Sequence, residues 1–208
     1  MTIYIIRHGQ TDMNRAECLQ GQIDSHLNDT GIKEAEGARD RLAAAGISFE
    51  RIYTSPLARA RKTAEIIADG KTTPITEPLI TEMHFGSYEG RPYKDIDEKM
   101  WAFIHSPETV QPPEGVESTK SLCERTGRFL SSVIKDKTDG NILIVTHGIA
   151  LRSILWNLNH ESERSRVWSM PIENCVIYRI KAENGKVITF EKADELCKKS
   201  DSDTSGAF

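Results

Sequence analysis

Two short apolar runs, Ile3-Tyr4-Ile5-Ile6 and Ile142-Leu143-Ile144-Val145, do most to limit what this chain can fold into. Neither alternates polar with apolar residues, so each reads as a strand buried on both faces, as in a parallel sheet covered by helices. Both stop at a histidine. The first runs into Arg7-His8-Gly9 and the second into Thr146-His147-Gly148.

Between them the pattern repeats. After a polar loop, Thr30 is placed to cap a helix carrying Ile32, Ala35, Leu42 and Ala45 on one face, with Glu34 and Glu36 near its start and Gly46 at its end. Arg51-Ile52-Tyr53-Thr54 reads as a second strand. Ser55 is expected to cap the helix that follows, with Pro56 in its first turn and Leu57, Ala60, Ala64 and Ile67 inward. An extended segment near Ile75 to Leu79 leads to Glu82. A helical pattern with Ile96, Met100 and Phe103 precedes the Pro-rich loop Ser106 to Gly115. The next helix, about 118–137, buries Leu122, Thr126, Phe129 and Val133, and another spans Ile149 to Leu158. Cys175 to Ile180 and Val187 to Phe190 flank Glu183-Asn184-Gly185 as a closing hairpin.

Composition narrows the function classes. With 208 residues and no Pro/Gly/Ser-rich linker, one domain over 1–197 is expected, and the polar stretch 198–208 reads as a flexible tail. Charged residues make up 28%, and the mean hydropathy is −0.45, as in ordinary globular chains. A net charge of −4 with dispersed basic residues gives no footprint for nucleic acid. No window reaches the roughly 18 to 20 apolar residues of a membrane span, and Met1 to Ile6 is too short for a signal peptide. Cys18, Cys123, Cys175 and Cys197 lie far apart without a zinc-like spacing and read as reduced thiols, which suits the cytoplasm.

Alternating strands and helices imply an open, largely parallel sheet, whose ligands sit beyond the C-terminal strand ends. His8 and His147 fall there with Arg7. Arg59 joins from the helix after the second strand, and Glu82 lies just past the third. Taken singly each has a bland reading, since a lone histidine is usually structural and Arg59 and Glu82 would by default be surface charges. Together they fit phosphoryl transfer, because arginine forks bind phosphate oxygens and helix N-termini add N–H donors without any metal. A neutral imidazole can attack phosphorus when its other nitrogen is pinned as a donor. That role suits His8, with a cationic His147 as clamp, Gly9 permitting close backbone approach and Glu82 as the desolvated carboxyl that protonates the leaving group.

These segments resemble the histidine phosphatase superfamily, the phosphoglycerate mutase-like group, from Ile3 to about Ile180. Arg7-His8-Gly9-Gln10-Thr11-Asp12-Met13-Asn14 is similar to its RHGxTxxN signature, and Leu19-Gln20-Gly21-Gln22-Ile23-Asp24 to its QGxxD loop. Leu27 to Gly31 is similar to LNxxG, and Ser55 to Ala64 to SPLxRAxxTA. Glu82 with Phe85 to Gly90 resembles E..FGxxEG, Pro112 to Ser118 the loop near the pocket, and Thr146-His147-Gly148 the second histidine motif. Met13 and His26 depart from the usual residues at the rim. The resemblance implies a three-layer α/β/α sandwich, its sheet mostly parallel with one antiparallel strand. It implies that Arg7, Arg59 and His147 bind the phosphoryl group with help from Asn14, that His8 is the phosphorylated nucleophile and that Glu82 is the proton donor. Gln20, Gly21 and Gly148 fall in matching segments beside the phosphate.

The expected activity is metal-independent and cofactor-free hydrolysis of a small phosphorylated metabolite through a phosphohistidine, with no nucleic-acid or membrane partner and homo-oligomerisation left open. A cofactor-dependent phosphoglycerate mutase is the alternative, and a noncatalytic phosphate-binding module the third reading. The compact Gly86-Ser87-Tyr88-Glu89-Gly90 and the acidic Asp95, Asp97 and Glu98 favour the phosphatase. His84, Tyr88, Tyr93 and Trp101 are either a lid around the leaving group or ordinary core.

Overall fold

The computed structural model describes residues 1–136, 140–158, 164–183, 186–193 and 196. The hairpin turn at 184–185 and the tail at 198–208 lie outside the described residues. Among the described residues six strands form one sheet: β1 (Thr2–Arg7), β2 (Arg51–Thr54), β3 (Ile75–Thr76), β4 (Asn141–Thr146), β5 (Ile177–Glu183) and β6 (Lys186–Lys192). Their order is β3-β2-β4-β1-β5-β6. β1 pairs in parallel with β4, β4 with β2, and β2 with β3. β5 runs antiparallel to both β1 and β6, so it is the one reversed strand.

Helices cover both faces, and strand parity decides which residue meets which. Ile3, Ile5, Ile142 and Ile144 point to the side of α5 (Thr119–Lys135) and α6 (Gly148–Leu158), where Phe129, Val133, Leu151 and Ile154 meet them. Tyr4, Ile6, Leu143 and Val145 point the other way. They pack on Ala35, Ala38 and Leu42 of α2 (Asp29–Ala44) and on Ala60, Ala64 and Ile67 of α3 (Ala58–Ala68). Each such side chain, once fully buried, contributes about 1.5–3 kcal/mol of transfer free energy. This is the expected sandwich. A third apolar cluster lies outside the sheet layers, built from Leu19, Met83, Phe85, Phe103 and Trp168, among others. It draws on α4 (Glu98–His105) and α7 (Arg164–Ser169), while α1 (Asp12–Arg15) is a single turn after β1.

Three local expectations are corrected. α2 is capped by Asn28, whose side chain accepts from Gly31 N, and not by Thr30, which lies inside the helix. α3 begins at Ala58 after an extended Leu57 with no side-chain cap. Ser55 is therefore not a cap, and Asp24 Oδ1 takes the Ala58 N–H at 2.6 Å instead. The extended segment after α3 holds only Ile75–Thr76 as strand, because Pro78, which has no N–H to give a ladder, starts a 3-10 turn over Pro78–Ile80. The helix expected over 118–137 has Ser118 as its cap and buries Leu122, Thr126, Phe129 and Val133 as the pattern requires.

Candidate active site

The register of β1 on β4 places Arg7 opposite Thr146, so the next residue of each strand is a histidine at the same sheet edge. His8 N–H donates to the Thr146 carbonyl at 2.9 Å, and the two imidazole centroids lie 5.1 Å apart at 60°. His8 Nδ1 is 2.7 Å from the Gly9 carbonyl, and Nε2 is 3.2 Å from Arg59 Nε. A carbonyl only accepts and a guanidinium N–H only donates, so these partners assign the proton to Nδ1 and the lone pair to Nε2. Burial, with Arg59 and Arg7 adding like-charge repulsion, holds His8 well below the ordinary imidazole range. The ring is neutral, with one nitrogen pinned and the other holding its lone pair.

Gly9 does permit a close approach, but of backbone to backbone. A Cβ there would sit 2.3 Å from the Gly31 carbonyl oxygen at the start of α2. The Gly9 N–H meets Thr63 Oγ1 at 3.1 Å, and Asn174 Nδ2 donates to the His8 carbonyl at 2.7 Å. The backbone at His8 and Gly9 is thus held from three sides.

Arg59 leaves the first turn of α3 and is fully buried. Its Nη1 and Nη2 each donate at 2.7 Å, to the carbonyls of Ile23 and Gly21. Burial brings its pKa down to about 10, partly opposed by Glu82 and Asp24, so it stays cationic at neutral pH. Arg7 Nη1 donates to the Ile172 carbonyl at 2.5 Å, while its Nε is buried without a partner among the described residues. His147 Nε2 pairs with Ser55 Oγ at 2.7 Å, and its Nδ1 is likewise unpartnered. Buried polar groups ordinarily have partners, and an anion in the adjoining space could supply one to each.

The expectation of a cationic His147 is corrected for the unliganded site. Burial, then the charges of Arg59, His8 and Arg7, depress its pKa well below the usual value. The ring is neutral in this arrangement.

Glu82 reaches the start of α6. Its Oε2 accepts from Ile149 N at 3.2 Å, and its Oε1 accepts from Ala150 N and Met83 N at 2.9 Å each. A cavity of about 180 Å³ joins these groups, lined by Arg7, His8, Asn14, Gln20, Gly21, Arg59, Glu82 and Gly148. Every predicted site residue lines it except His147, which is fully enclosed behind it. Asn14 Oδ1 accepts from Thr11 N at 3.1 Å, and Gln20 Oε1 from Thr11 Oγ1 at 3.0 Å, so the loop after β1 is internally braced. Chemically the set can bind a dianion, attack it from Nε2 and exchange a proton at a carboxyl. Among the described residues no three His, Cys, Asp or Glu side chains converge as metal ligands would.

A family model described as the histidine phosphatase superfamily (branch 1) matches residues 3–193. The chain belongs to that family. A probable phosphoglycerate mutase GpmB of Yersinia pestis is 33% identical over 189 residues, covering 86% of this chain and 84% of that protein. Among solved structures, a putative alpha-ribazole-5'-P phosphatase from Escherichia coli superposes with a TM-score of 0.80 at 25% identity, over 92% of this chain and 95% of that one. A phosphoserine phosphatase from Entamoeba histolytica, crystallised with 3-phosphoglyceric acid, gives 0.79 at 25% identity, over 94% and 98%.

Sequence reasoning did not single out several residues that shape the cavity. Arg125 of α5 pairs with Glu117 through two contacts at 2.8 and 2.9 Å and donates to the carbonyls of Leu79, Thr81 and Glu82. It thereby holds the segment that presents Glu82. Ser55 fixes the ring of His147. Arg152 lines the cavity from α6, and Trp168 from α7. The signal for Arg152 was its spacing, four residues after Gly148 and so on the same helix face. Of the four aromatic lid candidates only Tyr93 lines the cavity. Tyr88 is buried with its hydroxyl on Asp97 at 2.6 Å, His84 contacts the Gly115 carbonyl, and Trp101 is half-exposed against His105.

Proposed function

We propose that the protein is a phosphomonoesterase that hydrolyses a small phosphorylated metabolite through a phosphohistidine on His8. The observation that carries this reading is the His8 ring, with Nδ1 tied to Gly9, Nε2 holding its lone pair, and Glu82 lining the same cavity. In the first step the Nε2–P bond forms as the P–O bond to the leaving alcohol breaks, and Glu82 gives its proton to the departing oxygen. In the second, water attacks phosphorus, Glu82 takes up a water proton, the N–P bond breaks and phosphate leaves. Arg7 and Arg59 bind the phosphoryl oxygens, with Asn14, Gln20, Gly21 and Gly148 around them. A dianion seated there draws a proton onto His147, whose free Nδ1 is the nitrogen left for phosphate.

Water as acceptor is supported by the region after Glu82. It holds a 3-10 turn at Gly86–Tyr88, and beyond it Arg91, Lys94 and Lys99 are offset by Glu89, Asp95, Asp97 and Glu98, which leaves no surplus of cations there for a second phosphate. The mutase reading rests on the likeness to GpmB and shares the first step. Incubation with a panel of phosphomonoesters distinguishes them. Free phosphate from the wild type, a base-stable and acid-labile phosphoryl label on the chain, and neither with His8→Ala are the expected results. Interconversion of phosphoglycerates without phosphate release would replace the phosphatase with a mutase, and no turnover at all would leave a binding module.

A further inference from the structure

We infer that Arg152 and the indole N–H of Trp168 recognise a carboxylate on the leaving group, so that the preferred substrates are phosphorylated hydroxy acids. This rests on the phosphomonoesterase reading and names the substrate class of the same site. The charged side chains lining the cavity are Arg7, Arg59, Glu82 and Arg152. Phosphate brings two negative charges, and Glu82 must enter the reaction protonated to act as donor. Three guanidinium groups, with the protonated His147 behind them, then face two charges, which leaves cationic charge unmatched in a partly desolvated space.

The geometry assigns that surplus to Arg152. Its Nε and Nη2 both rest on one carbonyl, Met170, at 3.1 and 2.7 Å, and Nη1 makes no hydrogen bond among the described residues. Among those residues it also has no carboxylate at ion-pair distance. Glu82 is the carboxylate whose charge most favours Arg152, and a Glu82 that enters the reaction protonated withdraws it, leaving a partly buried guanidinium that is expected to find another anion. Gly148 lies one helical turn before it, and a Cβ at that position would already be in contact range of Arg7 and Glu82. The bare glycine therefore leaves the route from the phosphate end to Arg152 open.

Trp168 supplies an independent pointer. It is 8% exposed, lines the same cavity, and its Nε1 has no acceptor among the described residues. Indole is a donor only, so what satisfies it must be an acceptor. A carboxylate meets both demands with two oxygens, whereas an ammonium or a plain alkyl end meets neither. The cavity, about 180 Å³ against the roughly 300–1,000 Å³ of drug-sized sites, favours a compact acid of a few carbons.

The test compares substrates that differ by one carboxylate: O-phosphoserine with O-phosphoethanolamine, and phosphoglycolate with ethyl phosphate. The wild type is expected to favour the acid of each pair by about 10- to 100-fold in kcat/KM, as one charge-assisted hydrogen-bonded pair supports. Arg152→Gln should bring both ratios below about 3, with the change carried by KM, and Trp168→Phe should narrow them several-fold. Wild-type hydrolysis of all four esters with ratios near one overturns this inference alone. Ratios kept intact in Arg152→Gln overturn it too, and if that variant fails to fold, intact ratios in Trp168→Phe do the same. Absence of any turnover or His8 labelling overturns the phosphatase reading and this inference with it.

Discussion

Arg59 Nε lies 3.2 Å from the lone-pair nitrogen of His8, while its other two nitrogens are spent on the Gly21 and Ile23 carbonyls. A lysine cannot make three divergent hydrogen bonds from one fixed plane. Arg59→Lys should therefore lose both the hydrogen bond to His8 Nε2 and the shape of the Gly21 loop. The expected fall in kcat is about 10²- to 10³-fold, the usual effect of removing one preorganised donor. Steady-state phosphate release checks it, and activity within five-fold of wild type would remove Arg59 from the phosphate site.

Glu82→Gln keeps the shape of the side chain but removes the proton. For an alkyl phosphate the expected loss is roughly 10²- to 10⁴-fold, and for an aryl phosphate with a good leaving group under about ten-fold, because little protonation is then needed. Equal losses on both substrates would mean that Glu82 acts by holding the α6 N-terminus and not by giving a proton.

Acid should destabilise the free protein through the two histidines. Both are held neutral well below their unfolded value near 6.5, so below that pH the unfolded chain binds protons that the folded chain refuses. Their contribution is intact above about pH 6.5 and lost as pH falls toward the depressed folded values, at up to about 1.4 kcal/mol per pH unit for each histidine. Urea unfolding between pH 8 and 5 measures the slope. His147→Gln should reduce it by up to one proton, and an unchanged slope would contradict a neutral, buried His147.

Gly9→Ala would press a methyl group against the Gly31 carbonyl, which belongs to a helix and cannot swing aside. The expected cost is about 1–3 kcal/mol, typical of overpacking. For a chain of this length that lowers Tm by roughly 2–12 °C, with kcat falling because His8 is the adjacent residue. An unchanged Tm would show that the two backbones separate freely.

Much of this was legible from residue order. Unbroken apolar runs leading to His8 and His147 implied two strands of a covered parallel sheet that deliver both histidines to one edge, and the structure adds that the two strands are neighbours, with Arg7 opposite Thr146. Sequence motifs also named the groups that line the cavity, because the chemistry of phosphate narrows the choice to arginine, imidazole and carboxyl. What local pattern could not supply was the use of side chains whose ordinary role is different. Ser55 follows the rule for a cap, yet it bonds to a histidine 92 residues away. Arg125 reads as the polar face of an amphipathic helix, yet it ties three carbonyls beneath Glu82.

The sequence by itself determined the layered α/β fold, the edge at which the histidines emerge and the family. The first two follow from periodicity and residue type, which are local properties, and the family from the motifs that resemble it. Only the tertiary structure decided that His8 carries its proton on Nδ1, that His147 is neutral before an anion binds, and that Arg152 and Trp168 join the same cavity. Protonation and pairing depend on burial and on distances between segments far apart in the chain, and a sequence pattern has no access to either.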